Sequence, residues 1–196
     1  MKPKVAVIGT GYWGKNLVRN YHAMGVLEVL CDKDKDTLRR FEKQYPGMET
    51  CPSMDEVLSQ KDVTAVVIAT PAETHFELTR RALNAGKHVY VEKPLVLHEE
   101  EGEELIRIAE ANNLTLMVGH LLQYHPVFVK LRELVRAGEL GRINYIYSHR
   151  LNLGKIRREE NILWSFAPMT FPSSLHLRAS SPRAYLQPGQ TISTKK

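Results

Sequence analysis

A glycine-rich turn near the start of the chain constrains the fold more than any other feature. The apolar run Val5-Ala6-Val7-Ile8 leads into Gly9, Gly11 and Gly14, spaced as Gly-x-Gly-x-x-Gly, and a helical pattern follows. In such a unit the first glycine permits a tight turn, the second lets the backbone approach a pyrophosphate, and the third packs helix against strand. The positive end of that helix then faces the phosphates. The motif predicts a dinucleotide site, with an ordinary glycine-rich turn as the alternative.

A second apolar run, residues 26–31, ends at Asp32, at about the 20-residue spacing expected after this motif. A Rossmann sheet places an acid at this strand end, where its carboxylate accepts hydrogen bonds from the adenosine ribose. Because a carboxylate repels a 2′-phosphate, Asp32 predicts NAD rather than NADP, a preference that the neighbouring Lys33 moderates. A solvated loop acid is the alternative.

Helical and strand patterns alternate up to about residue 120. The continuous apolar run 65–69 is typical of a central parallel strand that is covered on both faces. Ser53 and Glu56 form a capping box that predicts a short helix to about residue 59. Further helices are predicted over 36–45, 74–86 and 99–112, and further strands over 88–92 and 114–119. The alternation predicts an α/β fold, a doubly wound parallel sheet of the NAD(P)-binding Rossmann type, over residues 1–122.

The pattern changes beyond Gly119. We expect a helix over residues 126–137 and a strand over 142–151, in which Ile143, Tyr145 and Tyr147 alternate with polar residues. Alternation of this kind suits an antiparallel sheet with one solvated face. Residues 123–168 therefore predict the start of an incomplete α+β C-terminal domain.

The composition argues against several other classes of protein. A hydrophobic content of 43% and a charged content of 25% are typical of soluble globular proteins. The chain has neither an apolar run of the ~20 residues that span a bilayer nor a recognisable signal peptide, so we expect a cytoplasmic protein without a membrane partner. Much of the +5 net charge comes from residues 169–196, which contain basic residues and no acid, so we expect a basic tail and no nucleic-acid partner.

Four segments resemble the glucose–fructose oxidoreductase (Gfo/Idh/MocA) family, and the similarity covers about residues 1–168. They are Gly-Tyr-Trp-Gly-Lys-Asn-Leu at 11–17, Ala-Thr-Pro-Ala-Glu-Thr-His at 69–75, Glu-Lys-Pro-Leu at 92–95 and Gly-His-Leu-Leu-Gln-Tyr-His-Pro at 119–126. Within the family the chain is most similar to dehydrogenases that oxidise the 3-hydroxyl of a UDP-N-acetylhexosamine or its uronic acid. Residues 150–154 and 164–168 also fit that branch. The resemblance implies an NAD-dependent oxidoreductase acting on a UDP-sugar.

The resemblance also implies roles for individual residues. Lys93 is the expected catalytic residue, since an ammonium beside the reacting hydroxyl stabilises developing negative charge; a surface lysine in a proline turn is the alternative. Glu92 either orients Lys93, contacts the nicotinamide ribose or is a structural acid, and His75 is either a cofactor contact or a packing residue. The expected cofactor-binding residues are Gly9, Gly11, Tyr12, Trp13, Gly14, Asp32, Thr70, Pro71, His75, Glu92 and Lys93. The expected substrate-binding residues are Lys93, His120, Gln123 and Tyr124.

We expect no metal site. His120 and His125 have no third ligand at metal spacing, and the family that the chain resembles is metal-free. Cys31 and Cys51 also lack metal spacing and a disulfide context, so we expect buried, reduced thiols.

The chain departs from the family pattern after Trp164. The family has a proton-transferring histidine followed by aspartate here, whereas this chain has Met169-Thr170. Codons for Met-Thr read as His-Asp after a one-base shift, so we infer a frameshift near residue 168 and a disordered tail over 169–196. The family forms homo-oligomers through a sheet that would then be missing. A non-catalytic nucleotide-binding remnant is the alternative function.

Overall fold

The chain folds around a six-stranded sheet with helices between its strands. A computed structural model describes residues 2–147. The strands are β1 (Val5–Ile8), β2 (Leu27–Cys31), β3 (Glu49–Cys51), β4 (Ala65–Ile68), β5 (His88–Val91) and β6 (Leu116–Val118). The helices are α1 (Gly14–Ala23), α2 (Lys35–Gln44), α3 (Met54–Ser59), α4 (His75–Asn84), α5 (Glu99–Ala111) and α6 (Pro126–Arg136). Single 3-10 turns occupy Ala72–Thr74 and Leu121–Tyr124.

The sheet has the strand order of a doubly wound fold. Its order is β3-β2-β1-β4-β5-β6, and every neighbouring pair is parallel. The direction of strand addition reverses between β1 and β4, which is the topological switch point where open α/β sheets bind their ligands. The predicted Rossmann-type α/β fold is therefore confirmed.

The central strands are buried on both faces of the sheet. In β1, Val7 belongs to an apolar cluster with Leu17 of α1, whereas its neighbour Ile8 belongs to a second cluster with Leu83 of α4. Successive side chains of a strand point to opposite faces, so both faces of β1 are covered by protein. Each such branched side chain contributes about 1.5–3 kcal/mol when it is fully buried. This burial explains why the central strands are continuous apolar runs.

Side-chain caps set the starts of two helices. The Ser53 hydroxyl accepts a hydrogen bond from the Glu56 N–H at 3.5 Å, and α3 begins at Met54, which confirms the predicted helix and its N-cap. The capping box is only half formed, because the Glu56 carboxylate accepts from the Cys51 thiol while the Ser53 N–H donates to Cys51 Sγ. Asp34 accepts hydrogen bonds from the Asp36 N–H at 3.0 Å and the Thr37 hydroxyl at 2.6 Å, so α2 begins at Lys35.

A second compact unit begins at His120. Its helix α6 confirms the helix predicted over 126–137, and Pro126 occupies the start of that helix, where its missing N–H leaves no bond unmade. The strand predicted over 142–151 is wrong for residues 142–147, which form no strand. No strand among the described residues pairs with this segment. Alternation of apolar and polar side chains does not by itself supply hydrogen-bond partners for the backbone N–H and C=O groups of a strand. The rest of that prediction and the tail at 169–196 lie outside the described residues.

No helix within residues 2–147 combines the length and the apolar character needed to cross a bilayer.

Candidate functional site

The carboxyl ends of four strands stop level with one another at the switch point. Ile8 pairs with Cys31 on one side and with Ile68 on the other. The ladder continues one residue further, because the Gly9 N–H donates to the Cys31 carbonyl at 2.8 Å and the Glu92 N–H donates to the Ile68 carbonyl at 2.9 Å. The glycine turn, the acid after β2 and the loops after β4 and β5 therefore begin at one edge of the sheet.

Two glycines of the turn are required by close packing. Gly9 has φ +87°, and a Cβ there would lie 2.8 Å from Thr70 Cγ2. A Cβ on Gly14 would overlap the carbonyl oxygen of Gly9, so only glycine lets α1 start this close to β1. Gly11 differs, because a Cβ there would have no atom within 4 Å. The turn thus presents bare backbone to open space at Gly11, which is the shape that a pyrophosphate needs.

Helix α1 also starts in a way that suits an anion. Trp13 is its N-cap residue but makes no side-chain capping bond, and its first turn contains no acidic residue. The positive end of the helix macrodipole is therefore not neutralised by an acid of its own first turn. Together with the open space at Gly11, this start of the helix fits the pyrophosphate of a dinucleotide.

Asp32 is fixed at the end of β2 by hydrogen bonds from two other residues. Its Oδ2 accepts from the Thr10 N–H at 2.8 Å and from the Thr10 hydroxyl at 2.9 Å, and its Oδ1 accepts from the Asp34 N–H at 3.0 Å. A carboxylate has about four acceptor positions, so capacity remains on Oδ1. A half-buried carboxylate held in this way fits a ribose hydroxyl, which can donate, better than a phosphate, which brings a second negative charge.

The loop after β4 holds Thr70 and Pro71, and a buried histidine lies behind it. The hydroxyls of Thr70 and Thr74 are 2.7 Å apart, and the Thr74 hydroxyl donates to the Pro71 carbonyl at 2.7 Å. His75 begins α4 and is only 1% exposed. Its Nε2 lies 2.9 Å from the Thr70 carbonyl oxygen and its Nδ1 lies 2.6 Å from the Pro94 carbonyl oxygen. His75 therefore contacts the backbone of two loops of this edge.

Glu92 is a buried carboxylate at the end of β5. It is 8% exposed, and its Oε1 accepts from the Trp13 indole N–H at 2.7 Å and from the Tyr90 hydroxyl at 3.1 Å. Its Oε2 accepts from the backbone N–H of Lys93 at 3.3 Å. Burial and the charge of Glu92 raise the pKa of Tyr21 on α1. The carboxylate thus joins the glycine turn to the Lys93 loop.

The other predicted substrate residues belong to the second unit. His120 precedes the 3-10 turn that contains Gln123 and Tyr124, and the Tyr124 side chain is 67% exposed. Both polar atoms of the Gln123 amide are buried and have no hydrogen-bond partner among the described residues. The assignment of these three residues to a substrate cleft stays a prediction.

Sequence reasoning missed two residues of the site. Thr10 holds Asp32, and Tyr90 donates to Glu92. The period of two in a strand places Tyr90 and Glu92 on the same side, which is the signal that would have indicated the second contact. Within residues 2–147, no three His, Cys, Asp or Glu side chains cluster as a metal site.

Residues 3–120 match the Gfo/Idh/MocA family, an oxidoreductase family with an NAD-binding Rossmann fold. This match covers more than half of the chain. The chain belongs to the Gfo/Idh/MocA family. Its first unit is therefore the NAD-binding domain of such an oxidoreductase, which confirms the predicted cofactor.

The proteins to which this chain is similar differ in their named activities. The UDP-N-acetylglucosamine 3-dehydrogenase of Acidithiobacillus ferrooxidans is 33% identical over 148 residues, which make up 76% of this chain and 45% of that enzyme. GenD2 from gentamicin A biosynthesis, solved with NAD, is 31% identical with a TM-score of 0.67, over 70% of this chain and 40% of GenD2. The scyllo-inositol dehydrogenase of Lactobacillus casei, solved with NAD(H) and scyllo-inositol, is 26% identical with a TM-score of 0.69, over 74% and 44%. The chain spans less than half the length of each.

Proposed function

We propose that this chain carries the cofactor half of an NAD-dependent dehydrogenase that oxidises a hydroxyl, most simply the 3-hydroxyl, of a UDP-amino sugar. The observation that carries this proposal is the position of the Glu92-Lys93 pair. It begins at the same level of the sheet edge as the glycine turn and Asp32. Residues that fit the cofactor and a residue suited to the alcohol therefore share one edge of the sheet.

In this proposal, different residues at this edge hold different parts of the cofactor. The open backbone at Gly11 and the start of α1 would hold the pyrophosphate, and the carboxylate of Asp32 would hold the adenosine ribose. Bound NAD supplies a hydride acceptor. Thr70 and Pro71, which follow β4, and Glu92, which follows β5, would line the side of the site towards the lysine loop.

Lys93 would act on the oxygen of the reacting alcohol. An alcohol that gives up a hydride from carbon must also lose its hydroxyl proton, and negative charge develops on the oxygen as it does so. An ammonium next to that oxygen stabilises this charge. Glu92 accepts a hydrogen bond from the backbone N–H of Lys93, so its part in the proposal is to fix the start of the lysine loop.

The choice of a UDP-sugar as substrate rests on similarity. The A. ferrooxidans relative acts on UDP-N-acetylglucosamine and is 33% identical. The segments 150–154 and 164–168, which fit the same branch of the family, lie outside the described residues. Because the chain is also similar to an inositol dehydrogenase, a cyclic polyol without a nucleotide is the alternative substrate class.

A non-catalytic nucleotide-binding protein is the second candidate function. Met169 stands where the family pattern places a proton-transferring histidine, and a thioether cannot take up a proton at neutral pH. A chain with an intact cofactor edge and no second proton-transfer group would bind NAD without turnover.

One pair of measurements separates these functions. Purified protein is titrated with NAD, and NADH formation is then followed with UDP-N-acetylglucosamine, its uronate and scyllo-inositol, for the wild type and for Lys93→Met. Binding with turnover of a UDP-sugar that Lys93→Met abolishes supports the dehydrogenase. Binding without any turnover supports the second candidate, and absence of NAD binding contradicts both.

A further inference from the structure

Lys93 lies between Glu92 and Pro94. Contacts connect Glu92 to the glycine turn and Pro94 to the loop after β4. On its N-terminal side, Glu92 accepts a hydrogen bond from Trp13 of the glycine turn. On its C-terminal side, the carbonyl of Pro94 contacts His75, which also contacts the carbonyl of Thr70 after β4. The short segment around Lys93 is thus anchored at both ends to backbone that would hold the cofactor.

The contact from Trp13 is of a strong kind. The indole N–H lies 2.7 Å from Glu92 Oε1, and the acceptor is a carboxylate that is only 8% exposed. Hydrogen bonds to an ionised acceptor in a poorly solvated place are stronger than neutral ones, and loss of such a donor leaves the carboxylate less well satisfied. Trp13 itself lies between Gly11 and Gly14, so the donor of this bond belongs to the glycine turn.

The contact from His75 reaches the other side of Lys93. The ring is 1% exposed and lies between two backbone carbonyl oxygens, at 2.6 Å from that of Pro94 and 2.9 Å from that of Thr70. Because α4 begins at His75, the ring is attached to the first residue of a ten-residue helix. The loop after β4 and the loop after β5 therefore share one rigid support.

We infer that Trp13 and His75 are positioning residues for Lys93: Trp13 transmits occupation of the phosphate-binding turn to Glu92, and His75 holds Pro94 on the other side of Lys93 in place. The inference rests on the proposed roles of the glycine turn and of Lys93. Neither residue acts on the reacting atoms in this inference. Trp13 fixes Glu92 and His75 fixes Pro94, so that Lys93 is held in place once the turn is ordered by its ligand.

ADP is a suitable probe because it carries the adenosine and the two phosphates but no nicotinamide. It can occupy the turn and the Asp32 side of the site, and it has no group that reaches the reacting end. Amide hydrogen exchange then reports order separately in residues 10–16 and in residues 91–97. Any slowing at 91–97 with ADP is transmitted through the protein.

The experiment compares wild type, Trp13→Phe and a matched control with saturating ADP. The control is Tyr90→Phe, which also removes one hydrogen bond to Glu92 Oε1 but leaves the link to the turn in place. We expect ADP to slow exchange at 10–16 in all three proteins. At 91–97 it slows exchange by about tenfold in wild type and Tyr90→Phe, and not in Trp13→Phe, as loss of a charge-assisted bond would allow.

A second pair of variants tests His75. An asparagine places its amide N–H near the position of Nδ1 and a glutamine places it near Nε2. His75→Asn therefore keeps the contact with Pro94, and we expect it to keep the ADP-induced slowing at 91–97. His75→Gln keeps only the contact with Thr70, and we expect it to lose that slowing.

Two outcomes overturn the inference. One is slowing at 10–16 without any at 91–97 in the wild type, a result that needs no variant to fold. The other is unchanged transmission in both Trp13→Phe and His75→Gln. If neither ADP nor NAD slows exchange at 10–16, the cofactor site itself is wrong, and the proposed function fails together with the inference.

Discussion

At the end of β2, both oxygens of Asp32 already accept hydrogen bonds from the protein. Thr10 supplies two donors to Oδ2 and the backbone of Asp34 supplies one to Oδ1. A side chain held by three donors has little freedom to rotate away from the 2′-phosphate of NADP. We therefore expect its charge to discriminate between a ribose hydroxyl and a ribose phosphate.

The first prediction follows from this fixed charge. Wild-type protein should bind NAD more tightly than NADP, and Asp32→Ala should narrow the difference between the two dissociation constants. The substitution removes both the ribose acceptor and the charge that repels the 2′-phosphate. Titration of both proteins with both cofactors measures the effect.

Thr10→Ser is the control for this prediction. Serine keeps a hydroxyl that can donate to Oδ2, so the preference for NAD should remain. Equal or tighter binding of NADP by the wild type would contradict the role given to Asp32.

The second prediction concerns Cys31, which is buried beside the site. Burial, with smaller effects from Cys51 and Asp32, raises the pKa of the Cys31 thiol to about 12 from its ordinary value of 9.0. The folded state therefore disfavours the thiolate, and the resulting stability is present below pH 9.0 and lost as the pH rises towards 12. Between pH 8 and 10 the free energy of unfolding should fall by on the order of 1 kcal/mol more in wild type than in Cys31→Ala.

Urea unfolding at the two pH values measures this difference. Tyr21, whose pKa is raised, and Lys87, whose pKa is lowered by burial, titrate alike in both proteins and cancel in the comparison. An equal alkaline loss in both proteins would show that Cys31 is not the group responsible.

At the scale of elements, the sequence predicted what local patterns determine. The apolar runs of β1 and β4 were evident because strands buried on both faces need uninterrupted apolar residues. Strand β3 (Glu49–Cys51) was missed, since its three residues form no apolar run and pair only with β2. The strand expected from alternation at 142–147 was wrong, because alternation describes a face and does not supply a partner.

The candidate site divides in the same way. The spacing between the glycine turn and Asp32 is set by a single β-α-β unit, β1-α1-β2. The sequence alone therefore predicted both features. The bond from Trp13 to Glu92 joins residues 79 positions apart, and the contact of His75 with Pro94 spans 19 positions. Contacts of this range follow from how strands meet at the sheet edge, which no short motif encodes.

The turn between β1 and α1 gives the third prediction, which compares substitutions of Gly11 and Gly14. Gly14→Ala should lower both the thermal stability and the affinity for NAD, because its Cβ would overlap the Gly9 carbonyl oxygen. Gly11→Ala should leave the melting temperature nearly unchanged while weakening NAD binding, because its Cβ enters open space that the pyrophosphate would fill.

Thermal unfolding and NAD titration of the two variants provide the comparison, and each variant is the control for the other. Unchanged NAD affinity in a folded Gly11→Ala protein would show that the phosphates do not approach the turn at this position.

For the whole molecule, the described first unit contains Lys93 but not the position at which the family pattern has its second proton-transfer group. The described first unit contains the features that fit a dinucleotide. After Trp164, however, this chain departs from the family pattern and has Met169-Thr170. The family's proton-transferring histidine would stand at that point. We therefore keep the frameshift near residue 168 as a proposal.

The fourth prediction tests that proposal with the 196-residue protein. The 196-residue protein should oxidise UDP-N-acetylglucosamine or its uronate about 10²- to 10⁴-fold more slowly than a protein whose reading frame is restored from codon 169, because one positioned acid–base group typically contributes that much. NADH formation by both proteins under the same conditions measures the ratio. Equal rates would show that Met169 and the residues after it do not lower the rate of sugar oxidation.

The strand order also has a consequence for how the chain is made. Strand β1 is the first to be synthesised, yet it lies in the middle of the sheet, and its partner β4 pairs Ala65 with Val5. At roughly 5–20 residues per second, a ribosome needs about 3–12 s to deliver that partner. Throughout this interval one edge of the wholly apolar strand β1 has no neighbour, so the nascent chain exposes an unpaired strand edge, a site of possible aggregation, before its cofactor edge exists.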